Sequence, residues 1–174
     1  MELFFRKARE SEFATAMQLL KQAAQTLQKK QINQWAFWLN PTETQCDWIR
    51  AGFTNQEFYF VENVENQLVA MFRLLVEDEL YWGKQSATAR YVHSLVVEKS
   101  FAGQQIGSKI LAQIEHDLIE NEIFRFRLDC NASNAILCGY YEKHGFVKVG
   151  EKQMPHSLNN LYEKMLISNN SLEL

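Results

Sequence analysis

The chain has 174 residues, 47% of them hydrophobic and 22% charged, with a formal net charge of -3. That size suits one domain with a full core, and the slight acidic balance argues against a nucleic-acid binder, which carries a basic excess. Cys46, Cys130 and Cys138 are too few for a disulfide framework and form no CxxC pair, no basic-then-apolar leader opens the chain, and no run is long and apolar enough for a bilayer, so the sequence reads as a cytoplasmic protein with no metal and no membrane partner.

Residues 3–8 read as a short strand. Phe13, Met17, Leu20, Ala24 and Leu27 then recur at helical spacing, which predicts a helix over 11–29. The aromatic run QWAFW at 34–38 is packing material or pocket lining. A second helix is predicted from Thr42 to Ala51, stopped at Gly52. Strands at 57–63 and 67–76 flank Glu65-Asn66 as a hairpin turn. The stretch 77–90 is polar and irregular.

A strand at 91–97 leads through a Gly-bearing loop into a helix over 105–121, where Ile106, Ile110, Ile114 and Leu118 repeat every fourth residue beside Leu111. Such a loop and helix start turn backbone N–H groups and partial positive charge toward one spot, which suits a phosphate or pyrophosphate. A strand at 124–130 and a helix from Asn134 to His144, stopped by Gly145, follow. Strands at 146–151 and 161–166 close the domain at about residue 168, and the tail 169–174 is expected to fray. One central sheet with helices on both faces accommodates this order. The 57–76 hairpin is antiparallel, while 91–97 and 124–130 are parallel through a right-handed crossover. The absence of GxGxxG, together with that hairpin, argues against a dinucleotide-binding doubly wound sheet.

The runs LVVEKSFAGQQIGSKIL and LDCNASNAILCGYYEKHGF resemble the GNAT superfamily of N-acetyltransferases. The resemblance spans nearly the whole chain in element order and is sharpest over 91–146. It implies an α+β three-layer sandwich of the acyl-CoA N-acyltransferase type, with a mixed, mostly antiparallel central sheet. It also implies acetyl-CoA as cosubstrate and a primary amine of a small molecule or peptide as acceptor, attacked directly in a ternary complex. Many relatives pair as dimers, so a homodimer is implied as well. The family loop Q/R-x-x-G-x-G/A falls here on Ala102, Gly103, Gln104, Gln105, Ile106 and Gly107, followed by Ser108. Gly107 matches. Ala102 replaces the usual Arg or Gln, and Gln105 replaces the central Gly, where its side chain would crowd the phosphates.

The resemblance further places backbone donors for the acetyl oxygen and pantetheine at Leu95, Val96 and Val97, on a strand that splays from 124–130. It puts Tyr141 in the general-acid position and Asn134 on the pantetheine arm; the residues alone favour core packing for Tyr141 and equally allow helix capping for Asn134. The base is open between His93, two residues before Leu95 and hence on its face of a regular strand, and a water chain. His116 reads as solvated, and His144 and His156 as capping or surface groups. Cys130 and Cys138 read as small core residues, with an acetyl-cysteine route as the alternative. Glu77, Asp78 and Glu79 with Tyr81 and Trp82 either draw in a cationic amine or form a solvated turn. A non-catalytic acyl-CoA-binding or interaction module on the same fold is the competing function.

Overall fold

A computed structural model describes residues 1–32 and 34–167. The tail expected at 169–174 lies outside the described residues. Among those described, seven strands form one sheet in the order β1-β2-β3-β4-β5-β7-β6. They are β1 (Phe4–Lys7), β2 (Phe58–Glu62), β3 (Leu68–Leu75), β4 (Arg90–Val97), β5 (Arg125–Asn131), β6 (Val147–Met154) and β7 (Ser157–Met165). The helices are α1 (Phe13–Lys29), α2 (Glu43–Thr54), α3 (Glu79–Trp82), α4 (Ile106–Glu120) and α5 (Ala135–Lys143). As expected, β2 pairs antiparallel with β3, and β4 pairs parallel with β5. The sheet is therefore mixed, with antiparallel pairs also at β1–β2, β5–β7 and β6–β7.

Two compact units divide the chain, and the division falls inside β3, inside β4 and inside α4. The first holds residues 1–74 and 94–107. Its core gathers Leu20 of α1, Ile49 and Phe53 of α2, Phe58, Phe60 and Met71 of the hairpin, and Val96 of β4. Burying each such side chain is worth about 1.5–3 kcal/mol. Trp38 of the QWAFW run lies in that core, behind a left-handed Trp35 at φ 61°, so the run serves mainly as packing. Thr42 and Gln45 cap α2 reciprocally, each side chain bonding the other's backbone N–H.

Gly52 does not stop α2, which continues to Thr54. A Cβ at position 52 would stand 2.7 Å from both Arg73 Nε and Phe58 Cε2. The glycine is there for close approach. It lets buried Arg73 bond the Trp48 carbonyl at 2.8 Å and Glu57 Oε2 at 2.9 Å while lying 3.9 Å over the Trp48 ring.

The second unit holds residues 75–93 and 108–167 of those described. β5 pairs along its length with β7, from Arg125↔Met165 to Asn131↔Asn159. The hairpin β6–β7 extends past the expected strands and turns at Pro155-His156. The stretch 77–90 is not wholly irregular, because it contains the one-turn helix α3. Arg127, buried on β5, fastens this stretch. It bonds Glu163 at 2.7 Å, Tyr91 Oη at 2.8 Å and Gln85 Oε1 at 3.1 Å, and its guanidinium lies 4.7 Å from the Trp82 ring.

Candidate active site

In the first unit, β4 ends in a bond from the Glu98 N–H to the Val69 carbonyl at 2.8 Å. The Glu98 carboxylate then caps the turn Lys99–Phe101 through the Ser100 N–H at 2.8 Å, and the Ser100 hydroxyl, which also donates to it, holds the carboxyl below its ordinary value. Gly103 and Gln105 both adopt the left-handed region, at φ 79° and 57°. The left-handed backbone at 105 is one that glycine takes freely, which is the physical reason for a glycine at this point of the family pattern. Gln105 adopts it nonetheless. The loop then enters α4, whose first-turn N–H groups have no acceptor within the helix.

β4 is not a regular strand. Ser94 stands at φ 51°, and pairing with β5 covers only Arg90↔Phe126 to Val92↔Leu128. The strict alternation that would put His93 and Leu95 on one face is therefore interrupted between them.

The second unit places a buried polar cluster around His93. Asp78, expected as part of a solvated acidic turn, is buried instead. Its Oδ1 caps α3 through the Tyr81 N–H at 3.3 Å, and its Oδ2 accepts from His93 Nε2 at 2.8 Å. Glu77 and Glu79 are exposed, as a solvated turn would have them. On the other side of the ring, His93 Nδ1 lies 3.4 Å from Asp129 Oδ1. That distance allows ion pairing, yet Oδ1 has no hydrogen-bond partner, while Oδ2 accepts from Asn159 Nδ2 at 2.6 Å. Burial pushes the Asp129 carboxyl above its ordinary range, against the opposing pull of His93 and Asn159. Tyr81 completes the cluster with its ring 5.2 Å from the imidazole; burial, then Asp129 and Asp78, push its phenol up.

The ligating atoms of Asp78, His93 and Asp129 lie within 4.8 Å of one another, near enough for a divalent cation. The two carboxylates, however, address different ring nitrogens, an arrangement better suited to sharing a proton.

Tyr141 is buried on α5, between the rings of Tyr140 at 5.5 Å, Phe146 at 5.9 Å and Tyr162 at 6.3 Å. Burial, and then the neighbouring Cys130 and Asp129, hold its phenol protonated well above the ordinary range. Asn134 caps α5 by accepting from the Leu137 N–H at 3.1 Å. Cys130 and Cys138 are buried with their sulfurs 3.5 Å apart, and burial pushes the Cys130 thiol up, which disfavours a nucleophilic thiolate. His116 is exposed, as expected.

Asp129 and Asn159 were not legible as functional residues. The one signal for Asp129 was its place at the carboxyl end of a parallel strand, where open α/β sheets gather ligands.

The GNAT acetyltransferase family model matches residues 22–146. The uncharacterized N-acetyltransferase YesJ of Bacillus subtilis is 29% identical over 137 residues, 76% of this chain and 74% of YesJ. A GNAT acetyltransferase from Listeria monocytogenes superposes with a TM-score of 0.77 at 23% identity, covering 95% of this chain and 96% of that one. The aminoglycoside acetyltransferase AAC(6')-Ib, solved with coenzyme A and kanamycin, gives 0.66 at 18% identity over 94% and 95%. Among the described residues no helix is long and apolar enough to cross a membrane. With the family model covering most of its length, the chain belongs to the GNAT acetyltransferase family and is an acyltransferase.

Proposed function

We propose that this enzyme transfers an acetyl group from acetyl-CoA to a primary amine of a small cationic molecule, by direct attack in a ternary complex. The observation that carries this reading is the largely buried His93 imidazole held between Asp78 and Asp129. An amine arrives as an ammonium, with an ordinary pKa near ~10.4 and no lone pair to attack with. A cluster with two carboxylates attracts that cation and takes its proton on His93, where the imidazolium is stabilised on both sides. The freed amine nitrogen bonds to the thioester carbonyl carbon, and the C–S bond breaks. Tyr141 gives its phenol proton to the leaving thiolate and regains one from the attacking nitrogen. The products are the N-acetyl amine, coenzyme A and one proton on the cluster.

In this reading Leu95, Val96 and Val97 supply backbone groups to the acetyl and pantetheine amides. The loop from Ala102 to Ser108 supplies the pyrophosphate cradle, as the family pattern implies. The AAC(6')-Ib complex holds kanamycin, a cationic amine, together with coenzyme A.

The test is release of free thiol from acetyl-CoA against a panel of primary amines. Release that is stoichiometric with N-acetylation, and absent without amine, is expected. Saturable acetyl-CoA binding with no thiol release across di- and polyamines, amino sugars and amino acids would overturn the small cationic acceptor. Gln105→Gly is a second check on the cradle. It relieves a left-handed non-glycine residue and removes a side chain near the phosphates. Calorimetry should show coenzyme A binding tightened roughly threefold, under about 1 kcal/mol. Weaker binding would mean that the Gln105 side chain helps hold the cofactor.

A further inference from the structure

Three proton-bearing side chains meet where α5 ends beside the first turn of α4. His144, at the C-cap of α5, points Nδ1 at the Tyr140 carbonyl at 2.7 Å. A carbonyl oxygen only accepts, so Nδ1 carries the hydrogen. In the neutral ring Nε2 is therefore bare, and it faces the Ser108 hydroxyl at 2.9 Å. Ser108 must then donate its single proton to the histidine. The Tyr140 hydroxyl, 3.2 Å from Ser108 Oγ, is left to donate into the serine. In this state Ser108 offers an approaching anion a lone pair and no proton, although it stands in the first turn of α4, where helix N–H groups favour negative charge.

A proton on Nε2 reverses the chain. The ring then donates to Ser108 Oγ, and the serine hydrogen is released to point elsewhere. An anion at the helix start would meet both a hydroxyl donor and an adjacent imidazolium. The groups set against the ring are Ser108 from α4 and the Tyr140 phenol from α5, whose ring centroid lies 4.3 Å away. The charged neighbours along these helices, Lys109, Glu142 and Lys143, are exposed.

We propose that His144 is a positioning residue for the cofactor's diphosphate: a proton on its Nε2 frees the Ser108 hydroxyl to donate to the anion, so cofactor binding takes up a proton. This rests on the reading of the Ala102–Ser108 loop as the pyrophosphate cradle.

The test is titration calorimetry with 3′-dephospho-coenzyme A in pairs of buffers that differ in ionisation heat. This ligand lacks the phosphomonoester, which itself titrates near neutrality, and its diphosphate keeps its charge throughout. Net proton uptake is expected in titrations run between about pH 6 and 8. Affinity should fall about five- to tenfold across that range. His144→Gln, whose amide N–H donates to Ser108 without titrating, should bind with nearly the low-pH affinity at every pH. Tyr140→Phe should keep the pH slope. Binding by the unaltered protein without proton uptake would overturn the inference and leave the cradle standing, as would a pH slope retained in His144→Gln. No binding at any pH by the folded protein would overturn the cradle reading as well. Should His144→Gln fail to fold, the proton count on the unaltered enzyme still decides.

Discussion

Asp129→Asn is expected to stabilise the protein and nearly abolish its turnover at once. The Asp129 carboxyl carries one buried oxygen with no hydrogen-bond partner, facing His93 Nδ1 at 3.4 Å. An asparagine keeps an oxygen for the Asn159 amide and turns an N–H toward Nδ1, so both sides of the contact are satisfied. Filling an unmet buried polar group is worth about 2 kcal/mol, or roughly 4–8 °C in Tm for a chain of this size.

The pH dependence carries its own sign. Burial raises the Asp129 carboxyl in the folded state, so its ionised form is the penalised one. The stability tied to the neutral form is fully present below the unfolded value of about 3.9, and it is lost as pH rises through the raised folded value. Asparagine does not titrate. Its advantage should thus be full at neutral pH and fade as the medium approaches about pH 4. The same N–H occupies the lone pair on which His93 would take the substrate's proton. Turnover should fall by about 100-fold or more, the usual reach of a general base. Thermal melts at two pH values and a thiol-release assay check both halves. Unchanged turnover would remove the cluster from the chemistry, and a lower Tm would mean that the ionised carboxylate stabilises the fold.

The second large effect is expected from Tyr141→Phe. The ring and its contacts with Tyr140, Phe146 and Tyr162 are retained, so packing changes little. What is lost is a phenol that burial keeps protonated at every working pH, and hence able to protonate a thiolate. The expected result is a fall in kcat of about 100-fold with little change in the KM for acetyl-CoA. An acetyl thioester of an acidic aromatic thiol leaves without help, so the deficit should shrink sharply with that donor. An equal deficit with both donors would assign Tyr141 a packing role instead.

Helix α4 was legible because its apolar period is long: the four-residue spacing of Ile106, Ile110, Ile114 and Leu118 recurs as four buried side chains. Gly52 misled for a physical reason: glycine both ends helices and permits close approach, and the stacked Arg73 decides between the two only when β3 is in place. His93 was legible as a candidate base, whereas its partners were not. Asp78 looked like one acid among three in a polar turn, and only the Arg127 anchorage with Tyr91 and Gln85 explains why that stretch is ordered.

By itself the sequence determined the class of sheet and the family, since these depend on periodicity and on local backbone chemistry. Tertiary structure alone decided which carboxylates face which imidazole nitrogen. Residues 78, 93 and 129 come from a turn and two strands, and the charge state of each follows from burial and neighbours that no stretch of chain carries within itself.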